Sequence, residues 1–262
     1  MANKMRATGE KVVVQSVDRA LSILALFRTE SSLGLTQIAD RMNLAKSTVY
    51  GLIATLEKHG YLEQDLNTGK YRLGVRLLEM GGLFEKRLNL RREVAPVMKS
   101  LVERFAETVQ VSILDGCEVV YIDLLEAPTS LRFTARIGMR APAHCTATGK
   151  VMLADLPEGL LDELYGSGPL PMSTPRSISS LIALKEHLRL VREQGYSLDD
   201  EEAEVGVRGV AAGIRNQAGK VIAGISLGGP ANRVTYDVVP QFSQAIIKAA
   251  ALISARLGYQ EG

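Results

Sequence analysis

The 262-residue sequence lacks several features that would assign it to a particular class of protein. It has no Trp and only 5 % aromatic residues, which argues against a main activity based on stacking single-stranded bases on aromatic rings. Its two cysteines, Cys117 and Cys145, are too few for a disulfide framework and fit a reducing compartment. No apolar run approaches the ~20 residues of a membrane helix, and the N-terminus lacks the hydrophobic segment of a signal peptide. We therefore expect a cytoplasmic protein with no membrane partner.

Sequence patterns of common catalytic sites are also missing, because no GxSxG, P-loop or HExxH pattern is present. His144 and Cys145 are adjacent, but neighbouring residues seldom reach the geometry in which a base activates a nucleophile. They rarely share one zinc ion either, and no spaced set of four ligands accompanies them. The sequence thus predicts no catalytic residue, no metal and no cofactor. An enzyme built on the C-terminal part of the chain stays open as the alternative from a different class.

The charge of the chain is unevenly distributed. The whole chain carries 31 Lys and Arg against 29 Asp and Glu, and this net charge of +2 by itself argues against a nucleic-acid partner. Residues 1–92 hold 15 basic and 9 acidic residues, whereas residues 93–262 hold 16 and 20. The net charges are therefore +6 and −4. A basic N-terminal third joined to an acidic remainder indicates a nucleic-acid-binding segment at the N-terminus.

The basic third has the periodicity of three short helices and a hairpin. Ser16 is expected to cap the first helix and Thr36 the second, and a third helix is expected at Lys46–Lys58. Two short strands, Tyr61–Gln64 and Lys70–Leu73, follow it. This order is typical of a winged helix-turn-helix, in which the third helix can enter the major groove of DNA.

The rest of the chain predicts an α+β domain. Residues 75–107 have a helical pattern that we expect to be interrupted at Gly81–Gly82 and Pro96. Hairpin strands and helices then alternate along the sequence. The expected strands are Val109–Asp115, Glu118–Leu125, Ser130–Ile137, Glu204–Arg215 and Lys220–Leu227, and the expected helices are Thr148–Leu156, Glu158–Tyr165, Ser179–Gln194 and Asp237–Leu257.

Eight polar residues and one glycine of the N-terminal third are candidates for contacts with double-stranded DNA. The start of the third helix offers hydroxyl, ammonium and phenol groups to phosphates and base edges, and the first two helices and the hairpin offer further contacts with phosphates. Ser47 and Thr48 taken singly have a simpler explanation, which is that they cap a helix. The candidates are Arg19, Thr36, Lys46, Ser47, Thr48, Tyr50, Gly51, Lys70 and Arg72.

The stretches VQSVDRALSILALF, GLTQIADRMNLAKSTVYGLIATLEKHGYLEQ and GKYRLG resemble the N-terminal domain of the IclR (isocitrate lyase regulator) family of bacterial transcription factors. GMRAPAHCTATGKVMLADLP, GYSLDDEEAEVGVRGVAAGI and GKVIAGISLGGPANR resemble its C-terminal domain. The resemblance implies a winged helix-turn-helix, a linker helix and an effector domain with a GAF-like α/β fold. It also implies a homodimer or homotetramer that binds operators near metabolic operons and responds to small molecules, often carboxylates.

The resemblance also implies an effector pocket. It falls on the helix start at Ala147, Thr148 and Gly149, on Asp199 and Gly209, and on a strand end at Ser226–Gly228. Free N–H groups at a helix start can hold a carboxylate without a cation. Apolar walls are expected from Leu131, Phe133 and Val210. The simpler explanations are an ordinary helix start at Ala147 and a solvated turn of four acids at 199–202.

Two glycines depart from the pattern of some relatives. Gly209 stands where some place a cysteine, and Gly228 where some place a second serine. Both replacements remove polar atoms and open space. We therefore hypothesise an effector larger or less polar than a keto acid of two or three carbons. Tight binding of glyoxylate or pyruvate, with no affinity for larger acids, would contradict this.

The sequence predicts an arm at residues 1–15, a DNA-binding domain at 16–74, a linker helix at 75–92 and an effector domain at 93–262. The predicted function is that of a transcriptional regulator of a metabolic operon, a repressor in preference to an activator. An effector must favour one arrangement of the paired DNA-binding domains, because a ligand shifts only those equilibria for which it has differential affinity.

Overall fold

A computed structural model describes residues 13–88, 90–130 and 135–260 of the chain. The chain divides into two compact units, residues 1–88 and 89–262, each of which is described by itself. The finer boundaries of arm, DNA-binding domain, linker and effector domain stay predictions.

The first unit has the winged helix-turn-helix architecture that the sequence predicts. The buried apolar residues Ile23, Ile38, Val49 and Ile53 come from its first three helices and form one core with Leu62 and Tyr71 of the hairpin. The strands pair antiparallel. The described elements are α1 (Gln15–Leu26), α2 (Leu35–Met42), α3 (Lys46–Lys58), β1 (Leu62–Gln64), β2 (Tyr71–Leu73) and α4 (Arg76–Leu88).

Two predicted helix caps are wrong. Ser16 lies inside α1, because the carbonyl of Val14 already accepts the N–H groups of Val17 and Asp18 at 3.0 Å. Thr36 lies inside α2, whose N-cap is Gly34. The side chain of Gln37 closes this cap by accepting the N–H of Gly34 at 2.8 Å. Gln37 is the third residue of the helix and binds the N–H of the capping residue, whereas Gly34 has no side chain that could accept an N–H group of the first turn.

The second unit consists of a six-stranded antiparallel sheet with helices around it. The strand order across the sheet is β5-β4-β3-β8-β7-β6. Its elements are α5 (Leu90–Phe105), β3 (Thr108–Asp115), β4 (Glu118–Leu125), β5 (Arg140–Pro142), α6 (Ala147–Ala154), α7 (Glu158–Tyr165), α8 (Leu181–Gln194), β6 (Ser197–Asp200), β7 (Val207–Arg215), β8 (Val221–Pro230) and α9 (Val239–Arg256).

Helix α6 is buried along its whole length between the sheet and α8. It approaches β8 so closely that a Cβ atom added to Gly224 would lie 2.8 Å from the Cβ of Thr148. Alternate residues of a strand point to opposite faces of the sheet. Residues on the Gly224 face therefore meet α6, whereas α9 packs against the same sheet through β7 and β8.

The predicted helix breaks in residues 75–107 are wrong. Gly81 and Gly82 lie within α4, where no neighbouring atom lies within 4 Å of a Cβ added to either glycine. Pro96 lies inside α5. Proline removes the hydrogen bond to the carbonyl of Arg92, and both residues are exposed, so water can take the place of the missing donor.

The predicted strand Ser130–Ile137 falls half outside the described residues, because 131–134 are not described, and the described residues 130 and 135–137 are not in a strand. Among the described strands, β5 pairs with β4. Residues 199–202 do not form a solvated turn, because Asp199 and Asp200 belong to β6, which pairs with β7. Within the described ranges, no helix is both long and apolar enough to cross a membrane.

Candidate functional site

The start of α3 is an exposed polar surface. Lys46, Ser47 and Thr48 form its first turn and are exposed, while Val49 is fully buried and anchors the helix. The N-cap is Ala45, whose methyl side chain cannot accept a hydrogen bond. Ser47 and Thr48 therefore are not the capping residues, and their hydroxyl groups face solvent at a helix N-terminus, where phosphates bind readily.

The other candidate DNA contacts also lie on the surface of the first unit. Tyr50 is 59 % exposed, and a Cβ atom on Gly51 would meet nothing within 4 Å, so a ligand backbone can approach there closely. Arg72 of β2 is exposed but forms an ion pair with Glu63 at 2.6 Å, which DNA would have to replace. The remaining positions are the exposed Thr36 and Lys70 and the half-buried Arg19.

Several predicted effector residues line one cavity of about 90 Å³ in the second unit. The sheet brings them together through cross-strand pairs, because Asp199 pairs with Gly209 and Gly209 pairs with Gly228. Six predicted residues line the cavity: Ala147, Thr148, Asp199, Gly209, Ser226 and Gly228.

Three predicted residues are not placed at the cavity. Leu131 and Phe133 lie outside the described residues. Gly149 does not line it, and a Cβ atom there would lie 2.1 Å from the carbonyl oxygen of Ala143. The expected apolar wall at Val210 is wrong, since Val210 follows Gly209 along β7 and points to the opposite face of the sheet.

The start of α6 presents backbone N–H groups. Thr146 is the N-cap, and its Oγ1 accepts the N–H of Gly149 at 3.1 Å. Its carbonyl accepts the N–H of Lys150 at 3.0 Å. The N–H groups of Ala147 and Thr148 precede the first acceptors within the helix, so their partners must come from outside it. The Oγ atoms of Ser112 and Thr148 lie 2.8 Å apart and fix the helix start on β3.

Asp199 is a buried carboxyl group beside this helix. Its Oδ1 accepts the N–H groups of Glu202 at 2.8 Å and Ala203 at 3.3 Å. Burial raises its pKa to about 7, although the nearby ammonium of Lys150 opposes that shift. Asp199 is thus partly ionised near neutral pH, and only one of its two oxygens is bound by the backbone.

A buried ion pair connects α6 to the segment that follows β6. Lys150 is fully buried, and its Nζ donates to the carbonyl of Leu198 at 2.6 Å and forms a short ion pair with Glu202. Burial raises the pKa of Glu202, which Lys150 partly offsets. The same Glu202 supplies the backbone N–H that holds Asp199. The ion pair therefore helps to position Asp199.

Sequence reasoning missed several residues that line the cavity, among them Gln110, Tyr121, Thr146, Glu204 and Arg208. One signal was available for Gln110, which is a polar residue between the buried valines of an apolar strand. Its Oε1 and the Oγ of Ser226 are buried without a hydrogen-bond partner among the described residues. Gln110 and Ser226 are directly paired on β3 and β8.

A larger cavity of about 300 Å³ lies at the other end of α6, lined by the ion pair of Asp155 and Arg215 and by residues of α8 and α9. Arg215 binds Asp155 at 2.8 Å and the carbonyl of Gly219 at 2.6 Å. None of the buried unpartnered oxygens found in the described residues lies there. A buried polar group without a partner calls for an explanation such as a ligand, and the smaller cavity is lined by two residues with such groups, Gln110 and Ser226, so we assign the candidate site there.

His144 and Cys145 are both buried. Nε2 of His144 lies 2.9 Å from the carbonyl oxygen of Pro171, and Cys145 is fully buried. His187 on α8 is half-buried, and burial lowers its pKa to about 4. The described residues include no group of three or more His, Cys, Asp or Glu side chains that could hold a metal ion.

Comparison with known proteins agrees with both parts of this architecture. Residues 16–66 match the model of the IclR helix-turn-helix domain, and residues 84–255 match that of the bacterial transcriptional regulator IclR C-terminal domain. The HTH-type transcriptional regulator XynR of Escherichia coli is 40 % identical over 94 % of this chain and 98 % of its own length. The transcriptional repressor IclR of the same organism is 34 % identical over 96 % and 92 %.

A solved structure shows the same fold with a bound ligand. It is an IclR homologue from Microbacterium hydrocarbonoxydans complexed with 4-hydroxybenzoate, and it is 27 % identical with a TM-score of 0.82. The match covers 92 % of this chain and 98 % of the homologue. The chain therefore belongs to the IclR family of DNA-binding transcriptional regulators, which bind effector molecules.

Proposed function

We propose that this regulator is a cytoplasmic repressor that releases a metabolic operator when a small carboxylic acid occupies the 90 Å³ cavity. The main support for this proposal is that one cavity is lined both by the residues with free N–H groups at the start of α6 and by Ser226, whose Oγ has no hydrogen-bond partner among the described residues. An activator is the second candidate. Repression is favoured because the related IclR of E. coli is named a repressor.

A carboxylate in this cavity would be held by neutral donors, because the nearby cations are engaged. Nε of Arg208 binds Asp200 at 2.6 Å, and its NH1 donates to the carbonyls of Ala231 and Val234. Lys150 is paired with Glu202. N–H groups at a helix start can bind an anion without a counterion. The ligand of the Microbacterium homologue is likewise a carboxylic acid.

Exposed apolar side chains on the first unit support a homodimer, and the family resemblance extends this to a tetramer. Val17 and Leu21 lie one turn apart on α1 and are 54 % and 60 % exposed. A Leu21→Glu variant should sediment as a smaller species than the unchanged chain. A Leu66→Glu variant is the control, since Leu66 is almost fully exposed in the hairpin turn and its replacement should not alter sedimentation.

Footprinting on the DNA around the regulator's own gene, followed by a thermal-shift screen of small acids, tests the proposal. A ligand that binds the folded state raises its melting temperature, and the same acid should release the operator. A Ser226→Ala variant should weaken the shift, whereas Ser167→Ala on the surface should not. The absence of a preferred DNA site, or of any acid that changes its occupancy, would contradict the proposal.

The enzyme alternative depends on Cys145. Its full burial and the engagement of His144 with Pro171 disfavour it, and the related proteins compared above are named transcriptional regulators. A Cys145→Ala variant that still binds a metabolite but no longer turns it over would favour the enzyme.

A further inference from the structure

An acid bound in the smaller cavity lies beside a second carboxyl group, that of Asp199. The cavity of about 90 Å³ has room for one small molecule, and Asp199 forms part of its wall. The Oδ1 of Asp199 accepts the N–H groups of Glu202 and Ala203, which leaves Oδ2 as the oxygen that can meet a ligand. Two ionised carboxylates in one small site repel each other, so the pKa of one of them rises strongly.

The cations near Asp199 are engaged with other acids. Arg208 is the only cationic side chain among the described residues that line the cavity, and its guanidinium is held by Asp200 and by two backbone carbonyl groups. The ammonium of Lys150 acts on Asp199 from α6, but it forms an ion pair with Glu202. Neither cation can therefore neutralise a second carboxylate without giving up its own partner.

The other titratable groups that line the cavity add no positive charge. Glu204 is an exposed acid on the same wall. Tyr121 on β4 lies near Asp199 and Glu204, and burial together with these acids raises the pKa of its phenol to about 12, so the phenol stays neutral. Burial raises the pKa of Asp199 itself to about 7, and a ligand carboxylate beside it raises that pKa further.

Two histidines lie behind the ion pair of Lys150 and Glu202, and neither lines the cavity. His187 on α8 is near Lys150, and burial lowers its pKa to about 4, so its ring is neutral at higher pH. Burial opposes a charge on His144, but the interaction with Cys145 outweighs it and raises the pKa of this ring, which also interacts with Glu202. The carboxyl group that faces the ligand is thus that of Asp199.

We propose that Asp199 binds the effector as a neutral carboxylic acid, donating a hydrogen bond from Oδ2 to the effector carboxylate, and that the regulator takes up one proton from solvent with each acid it binds. A protonated carboxyl group is a donor, and its hydrogen bond to a carboxylate is short and strong. The proton therefore replaces a repulsion by an attraction. This inference rests on the proposed function and adds Asp199 to the N–H donors at the start of α6.

Calorimetric titration of the full chain at several pH values tests the proton uptake. The probe is the tightest binder among pyruvate, lactate and benzoate, whose carboxyl groups stay ionised throughout. Its affinity should be about 30-fold lower at pH 8.5 than at pH 6, because a group with a pKa of about 7 must first be protonated. Between pH 5 and pH 6 Asp199 already holds the proton, and the affinity should change by less than about twofold. A change of less than about threefold between pH 6 and pH 8.5 would overturn the inference.

The heat of binding at pH 8 counts the protons when it is compared between HEPES and Tris, which differ in ionisation enthalpy. The unchanged chain should take up about one proton per acid. Asp199→Asn keeps an oxygen for the two backbone N–H groups and replaces the O–H donor by an N–H donor, so it should take up none and bind equally at pH 6 and pH 8.5. Asp237→Asn removes an exposed acid and is the matched control, which should keep the uptake. An undiminished uptake in Asp199→Asn would overturn the role of Asp199.

Melting temperatures without ligand at both pH values check that the variants fold. If Asp199→Asn does not fold, the pH profile and the proton count of the unchanged chain decide. Binding of an acid without proton uptake would overturn this inference and leave the proposed function intact. If operator binding persists but no acid binds at either pH value, the proposed acid effector fails together with this inference.

Discussion

Replacing Lys150 by Met tests whether the buried ion pair holds the second unit together. The ammonium of Lys150 is fully buried, and its partner Glu202 is nine-tenths buried. Met has a similar length without charge, so Lys150→Met removes the cation with little change in packing. It leaves the carboxylate of Glu202 in the interior, removing the ammonium that binds Oε1, while Oε2 already has no partner among the described residues.

The expected loss is large because an unpaired charge remains buried. Breaking a buried ion pair by removing one partner typically costs about 3–5 kcal/mol. For a domain of this size that corresponds to a melting temperature lower by about 6–20 °C. The exposed pair of Lys185 and Asp162, at 2.7 Å, is the matched control, and Lys185→Met should cost less than ~1 kcal/mol.

Urea unfolding followed by circular dichroism measures both losses. The double variant Lys150→Met/Glu202→Leu should recover most of the stability, because it removes both charges and fills the space with apolar groups. Burial already raises the pKa of Glu202. The deficit of Lys150→Met should therefore be smaller at pH 5 than at pH 8, since protonation neutralises the unpaired carboxylate. A loss no larger than that of Lys185→Met, or a double variant no more stable than the single one, would refute this reasoning.

Three further predictions concern the DNA contact, a close approach and a titration. Lys46→Ala should weaken operator binding and lower the slope of log affinity against log salt by about 0.9 if Lys46 neutralises one phosphate; an unchanged slope in a filter-binding series would place Lys46 off the DNA backbone. Gly149→Ala should lower the free energy of unfolding by about 1–3 kcal/mol because its Cβ would collide with the backbone of Ala143. Gly81→Ala is the control within helix α4, where a Cβ meets no neighbouring atom, and it should raise the free energy of unfolding by about 0.5–1 kcal/mol. Folding raises the pKa of Asp199 from its ordinary 3.8 to about 7. The folded state therefore keeps a proton that the unfolded chain releases, so the free energy of unfolding should fall as pH rises between these values. Unfolding curves of Asp199→Asn should lack this pH-dependent loss, and a variant with the same pH dependence as the unchanged chain would contradict the prediction.

Local sequence patterns predicted the elements whose ends are set by neighbouring residues. Helix α3 begins at Lys46 and ends at Lys58, as predicted, because Gly60 follows with a φ of +74° that few other residues adopt. Strand β4 and helix α7 also have the predicted bounds. The turn between β3 and β4 has Gly116 at φ +61°, in agreement with the Asp-Gly signal.

Local sequence patterns gave wrong or incomplete predictions where the structure depends on residues far apart in the chain. The acids at 199–202 predict a solvated turn in isolation, but β7 pairs with Asp199 and Asp200, and Arg208 and Lys150 supply the opposite charges. Gln110 could not be assigned to the site, because its importance depends on facing Ser226 from a different strand and on lacking a partner there.

The sequence by itself determined the family, the winged helix-turn-helix and the division into a basic and an acidic part, because these depend on local periodicity, motif order and composition. The tertiary structure decided which polar atoms meet in the cavity and which remain without partners. Hydrogen-bond satisfaction and burial depend on residues far apart in the chain, such as Gln110, Asp199 and Ser226, which only the pairing of β3, β6, β7 and β8 brings to one face of the sheet.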